Sequence, residues 1–450
     1  MKRLTTLTVA AALGLIAQGA YAELTQADAD RLGGDELTPI GAERAGNAAG
    51  TIPAWTGGLA ELPSGSTEGQ PLVDPFPNEQ PLFTITAENY TQYQDNLSPG
   101  QIALLKRYSD TFRMPVYTTH RTAAYPDNIY EEIKADALTA KTTDGGNGLA
   151  DVDSYCPFPI PGNGIEIIWN HVLRFRGGSV KRTYTQIPVQ ASGAFSPVVF
   201  DDQLTFANYL PNAPENRLFY YKQAIKAPAR LEGDVLLVHE NINQVAEPRA
   251  AWVYNAGQRR VRRAPDVAYD GPGTASDGLR TADDLDLYNG APDRYEWKLL
   301  GKKELYIPYN AFRLLDKSKK YKDVVLKGHL NPDYLRYELH RVWVVDAELK
   351  EGTRHIYKKR RFYIDEDSWQ VLAVDCYDNR DELWRVQEGH VINYYDVPTL
   401  WTTLETTTDL QSGRYLAIGL NNEERTTYDF NVTLSKEDFS VASLRRAGTR

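Results

Sequence analysis

Glycines, histidines, carboxylates and cysteines are the residues of this chain whose types could do chemistry, and their spacing is informative. Thr38 to Gly58, TPIGAERAGNAAGTIPAWTGG, holds Gly41, Gly46, Gly50, Gly57 and Gly58. A phosphate cradle requires a strand, a fixed glycine fingerprint and a helix in immediate succession. This stretch follows no strand signal and lacks the G-x-G-x-x-G spacing, and G-x-x-x-x-G-K-[ST] is absent from the chain. The glycines therefore read as loop chemistry: tight turns and close backbone contact, with Trp55 as an anchor. His120, His171, His239, His329, His340, His355 and His390 have no helical or hairpin chelating spacing. They read as isolated, satisfied histidines, and no metal is expected. The acidic turns Asp365-Glu366-Asp367 and Asp283-Asp284 lack the calcium-loop pattern and read as solvated turn charges. No G-x-S-x-G elbow marks a nucleophile. With 60 acidic residues, a carboxylate pair at glycosidase distance can always be found, so it singles out nothing. No cofactor is expected.

Cys156 and Cys376 lie far apart in the chain. In an oxidising compartment they are expected to close one disulfide over a long loop, the alternative being two free buried thiols. Basic residues cluster at Arg259, Arg260, Arg262 and Arg263, and again from Lys358 to Arg361. On strands each cluster divides between two faces, as solvated rims or as a docking patch for an acidic partner or anionic headgroups.

The elements that must position these residues begin with an export signal. Met1-Lys2-Arg3, the apolar run Leu4 to Ile16, and Ala20-Tyr21-Ala22 read as a signal peptide cleaved after Ala22, with a periplasmic destination. No later segment reaches the ~20 apolar residues of a spanning helix. The formal charge of −10 becomes −12 once Lys2 and Arg3 are lost, a poor balance for binding nucleic acid. Residues 23–90 read as an extended Gly/Pro-rich segment packed on the rest, and 91–450 as a single domain. Ser98-Pro99 caps a helix through Ile102, Leu104, Leu105, Tyr108 and Phe112. A second helix starts near Pro126, and a third at Asn163 with Glu166 three residues on. After Gly178 the pattern turns to strands: Tyr184 to Val189, Leu218 to Ile225, Val235 to Asn241, and a hairpin around Asn255-Ala256-Gly257. From Arg341 to Val386 four strands form an antiparallel meander, with Trp343, Val345, Ala347 and Leu349 on one face. A short helix closes the chain near Phe439 to Arg446. The fold class is α+β, mostly β: a large curved antiparallel sheet with helices covering its concave side.

ELTPIGAERAGNAAGTIPAWTGGL, PFPIPGNGIEIIWNHVLRFRG, AWVYNAGQRRVRRAP, YEWKLLGKKELYIPYNAFRL and FYIDEDSWQVLAVDCYDNRDELWRV resemble a family of exported bacterial proteins of unknown function. That family is similar in turn to the outer-membrane lipoprotein-sorting (LolA/LolB-like) superfamily. The resemblance implies an incomplete β-barrel around a hydrophobic cavity, no enzymatic activity, and work beside an RND-type exporter and an outer-membrane β-barrel protein. It implies a carrier for a lipid or other hydrophobic molecule. A transporter adaptor acting through its surface and a secreted carbohydrate-active enzyme are the alternatives. Strand-borne rings, Trp252, Tyr254, Trp343, Tyr357 and Trp384, are the residues expected to line the cavity, against ordinary core packing.

Overall fold

The computed structural model describes residues 24–66, 72–152, 155–264, 267–425 and 428–448. The expected signal peptide and its cleavage point after Ala22 lie outside the described residues. Six helices are α1 (Gln26–Arg31), α2 (Pro99–Arg107), α3 (Asp127–Asp136), α4 (Gly164–Leu173), α5 (Tyr321–Val324) and α6 (Val441–Gly448). The early strands are short: β1 (Phe83–Ile85), β2 (Met114–Val116), β3 (Lys141–Thr143) and β4 (Gly148–Ala150). A first meander follows with β5 (Ser179–Val189), β6 (Val198–Phe206), β7 (Arg217–Ala227), β8 (Val235–Asn241), β9 (Ala250–Asn255) and β10 (Arg260–Arg263). A second comprises β11 (Tyr295–Pro308), β12 (Tyr337–Leu349), β13 (Lys359–Asp365), β14 (Val371–Tyr377), β15 (Leu383–Tyr394), β16 (Thr399–Asp409) and β17 (Tyr415–Leu420). The last is β18 (Tyr428–Asp429).

The helices form where local chemistry asks for them. Ser98 accepts from the Gln101 amide and Gln101 reaches back, a capping box with Pro99 in the first turn of α2. Asn163 caps α4 through the Glu166 amide at 3.1 Å, and Glu166 accepts from Gly162 N at 2.7 Å.

Sixteen strands make one open sheet in the order β1-β2-β12-β13-β14-β15-β16-β17-β5-β6-β7-β8-β9-β10, with β11 on β12 and β18 on β5. Neighbours in sequence are antiparallel, as the hairpin signals require. The sheet is nevertheless mixed, because β2 meets β12 in parallel at Tyr337 and Val116. The two meanders join where β17 pairs with β5.

Helices cover the sheet as expected, and they do so on both faces. Val345, Phe362 and Val374 stand in register across β12, β13 and β14, and α4 lies on their face. Gly164 permits that approach: a Cβ there would come within 3.0 Å of the Trp297 backbone. The opposite face carries Asp346, Arg361, Asp375 and Val386, and receives α2, whose Gly100 amide donates to Asp375 at 3.0 Å. Farther along, α6 packs on β8 and β9, closing a cluster of Val235, Leu237, Tyr254, Phe439 and Leu444.

The N-terminal stretch lies close on the body, and it contains α1. Trp55 is buried, donates to Ala123 O at 3.2 Å and has Arg44 5.1 Å from its ring centre. A Cβ at Gly41 would fall 1.8 Å from Pro159 O, and one at Gly58 2.1 Å from Ala123 O. Gly41, Gly46 and Gly58 serve close backbone contact, while Gly50 and Gly57 have open space around them and take positive φ.

Candidate ligand-binding cleft

The region around α4 begins with a conflict of charge. The helix is apolar on nearly every side, with Ile167, Ile168, Trp169, Val172 and Leu173 all buried. Yet it carries His171 within it, and Arg174 and Arg176 follow its end, all three in the interior. Buried guanidinium groups require partners. Asp286 supplies one: it takes Arg176 Nη1 at 2.8 Å, also pairs with Arg174, and accepts Trp401 Nε1 at 3.1 Å. Burial pushes the Asp286 carboxyl up, but Arg174 and then Arg176 hold it below the ordinary carboxylate range. His171 accepts from Val371 N and faces the carbonyls of Asp286 and Tyr288, each at 3.1 Å. Burial, reinforced by Arg174, lowers its pKa to about 3, so the imidazole is neutral. Two cations meet one anion here, which leaves the centre positive.

Around this centre the sheet hollow is largely filled. The segment Pro272–Leu285 lies against Phe219, Tyr221 and Leu236, leaving about 60 Å³ between them. Space reopens past the end of α4. A cleft of about 300 Å³ is lined by Val152, Tyr155, Leu173, Phe206, Ala207, Leu210, Ala213, Pro214, Leu218 and Ile242, with Asn208, Asn212, Glu215 and Arg217 as its polar members. The Tyr155 hydroxyl accepts from Asn208 Nδ2 at 2.9 Å, and burial keeps it neutral. Arg176 stands 4.6 Å from the centre of the Phe206 ring, so the positive centre sits directly behind one wall.

The five rings expected to line a cavity do not converge. Trp252 and Tyr254 lie under α6: Leu237 and Val235 oppose them on β8, and His239 is 4.8 Å from Trp252. Tyr357 is fully buried with its hydroxyl 3.2 Å from Asp284, and Trp384 stands against it at 5.8 Å. Trp343 is apart from both groups, stacked on Trp369 at 6.1 Å with Lys302 over its ring. None of the five lines the 300 Å³ cleft. In a sheet covered on both faces, alternation does not tell which face is hollow.

The cysteines are also corrected. Both are free and buried. Cys156 lies beside Tyr125 and Arg174, and burial raises its thiol to about 12. Cys376 lies on β14 between Arg360 and Arg385, in different surroundings, so the expected disulfide does not form.

The acidic turns are not solvated. Asp365, Glu366 and Asp367 are buried; Arg121 pairs with Asp367 at 2.6 and 2.8 Å, and Arg341 with Glu366 at 2.6 Å. Asp283 and Asp284 are buried too, held by Arg360 and His355. Oxygen and nitrogen atoms of His340, Asp365 and Asp367 come within 4.8 Å of one another, a grouping that sequence spacing did not show. Arg121 pairs with both Asp367 oxygens, and Tyr309 and Ser368 donate to Asp365 Oδ2, while Asp365 Oδ1 is buried with no hydrogen-bond partner among the described residues.

Of the basic clusters, the second is divided: Arg360 is buried, Arg361 and Lys359 pair with Asp346, and Lys358 reaches Asp381 at the surface. On β10, Arg260, Arg262 and Arg263 are exposed.

Residues 84–445 match the family described as Protein of unknown function (DUF1329). The chain belongs to the DUF1329 family. This DUF1329 chain is 57% identical over 444 residues to the Uncharacterized protein PA3922 of Pseudomonas aeruginosa, covering 98% of this chain and 97% of that one. Its fold is similar to that of an outer membrane lipoprotein-sorting protein domain from Vibrio parahaemolyticus, at 16% identity and TM-score 0.45, over 63% of this chain and 98% of that one. A DUF1329 family protein from Desulfovibrio piger aligns at 14% identity and TM-score 0.42, over 59% and 91%. A LolA superfamily protein from Nitrosomonas europaea aligns at 12% identity and TM-score 0.37, over 63% and 100%.

Proposed function

We propose that this DUF1329 protein is a non-enzymatic carrier that holds a small hydrophobic molecule in the cleft at the end of α4. The observation that carries the reading is the cleft itself: about 300 Å³, lined mainly by aliphatic and aromatic side chains, and backed by a rigid, charge-locked centre. Hiding apolar surface from water is worth ~25 cal/mol per Å² and needs no directional chemistry. The sequence resemblance to LolA/LolB-like proteins implies the same class of work. On this reading the protein acts in the periplasm after loss of residues 1–22, beside an RND-type exporter and an outer-membrane β-barrel protein. Among the described residues no helix is long and apolar enough to cross a membrane.

Organic extraction of the purified protein followed by mass spectrometry tests the reading, together with binding of an apolar fluorescent probe. Ala213→Trp, which fills the cleft from a half-buried loop position, is expected to abolish probe binding and leave the unfolding midpoint nearly unchanged. Empty extracts and a probe that binds the variant as well as the parent would overturn it.

One observation favours the adaptor as a second reading. The edge strand β10 presents Arg260, Arg262 and Arg263 to solvent, a surface suited to an acidic partner. A charge-reversed triple variant that still retains an exporter in a pull-down argues against it. The carbohydrate-active alternative called for exposed tryptophans; among the described residues every tryptophan is buried or half-buried.

A further inference from the structure

The cleft has Asn208, Asn212, Glu215 and Arg217 as its polar members, and Arg217 is its one cation. Arg217 opens β7 and lines the cleft beside Leu218. A register shift between Arg217 and Phe219 puts an irregularity at Leu218, of the kind that re-aims a side chain out of the regular alternation. Tyr220 lies 5.2 Å from the guanidinium carbon and supports it. The Nε and Nη1 atoms of Arg217 are buried, and neither has a hydrogen-bond partner among the described residues. A buried polar group left without a partner costs free energy, and a charged one costs more. The acidic side chain among the lining residues, Glu215, is exposed, and no ion pair joins it to Arg217. Behind Phe206 the Arg174–Arg176–Asp286 centre adds a net positive charge.

We infer that the cleft takes a single-chain, monoanionic amphiphile, whose acidic head pairs with Arg217 while its chain lies along Leu173, Phe206, Leu210 and Leu218. The inference rests on the carrier reading and sharpens it. Size sets the chain length. A methylene is close to a water in bulk, so 300 Å³ at about 30 Å³ each holds roughly ten such groups. A lipid with several long chains needs several times that space.

Decanoate and decanol, titrated below their micellar concentrations into the purified protein by calorimetry, separate the possibilities. The chain is the same and only the head differs. The expected result is that decanoate binds at least tenfold more tightly than decanol. Arg217→Met removes that preference by weakening decanoate at least tenfold while leaving decanol unchanged, and Arg217→Lys restores most of it. Equal binding of the two compounds to the parent protein overturns the anionic assignment and leaves the carrier reading standing. If neither compound binds, both readings fall. The comparison on the parent protein needs no variant, so a failure of Arg217→Met to fold does not protect the inference.

Discussion

Glu388 shows how far single carboxyls in this protein depart from their surface behaviour. It lies on β15, fully buried, accepting from Gln101 Nε2 at 3.3 Å and from the Tyr337 hydroxyl at 3.1 Å. Burial raises its pKa to about 7, against the hydrogen bonds from Gln101 and Tyr337 that lower it. The folded state therefore keeps a proton that the unfolded chain releases near pH 4.5. Between those values the native protein binds more protons, so stability falls as pH rises. Each unit of separation corresponds to about 1.4 kcal/mol. Glu388→Gln, which copies the protonated form, is expected to unfold like the parent at pH 5. At pH 8 it should be more stable, by on the order of 1–3 kcal/mol. Denaturant titrations at the two pH values check this; a variant less stable at both removes the assignment. Asp286 behaves in the opposite sense, its paired form being stabilising above the unfolded pKa and lost as pH falls. Such residues were hard to read in the sequence because their partners are remote. Asp367 meets Arg121 across 246 positions, and Asp286 meets Arg174 across 112. An acidic run between two strands looks like a wet turn until the arginine arrives from elsewhere.

Elements were far more legible, because their signals are local. The two capping patterns, Ser98-Pro99 and Asn163-Glu166, mark helices that start where they were expected. The sequence pattern predicts a strand over Val235–Asn241, the bounds that β8 has, and the hairpin after Asn255 pairs Val261 with Tyr254. Strands β6, β11, β16 and β17 carried no comparable signal. The burial along β12 explains part of the difficulty: Val345 and Ala347 are covered by α4, yet Asp346 between them is also buried, held bidentately by Arg361. A strand covered on both faces loses the alternation that identifies one. Two predictions belong to this scale. Asn163→Ala removes the cap of α4 and is expected to cost about 1 kcal/mol in a denaturant titration. Gly41→Ala forces a Cβ against Pro159 O and asks for a left-handed φ of +88°, with an expected cost of roughly 1–3 kcal/mol. It should also hasten proteolysis within residues 24–66. An unchanged cleavage rate would mean that the segment is held elsewhere.

For the whole molecule, the class was legible and the wiring was not. A run of helices followed by strand patterns points to a mostly β fold, and the four-strand meander expected from Arg341 to Val386 is present, its first strand beginning at Tyr337 and its last running on to Tyr394. The order of sixteen strands depends on non-local pairings, and one of them joins the two meanders: β17 zips onto β5, with Tyr415 opposite Val189. More than two hundred residues separate these partners. Removing residues 410–450 is expected to send the protein to the insoluble fraction, because the edge of β5 is then left bare. A soluble, cooperatively unfolding product would refute this. The same pairing has a meaning in time. On a ribosome adding ~5–20 residues per second, β5 waits roughly ten to forty-five seconds for its neighbour. Throughout that interval the first meander offers an open backbone ladder to any extended chain nearby, so it is during synthesis that this protein most needs a holdase.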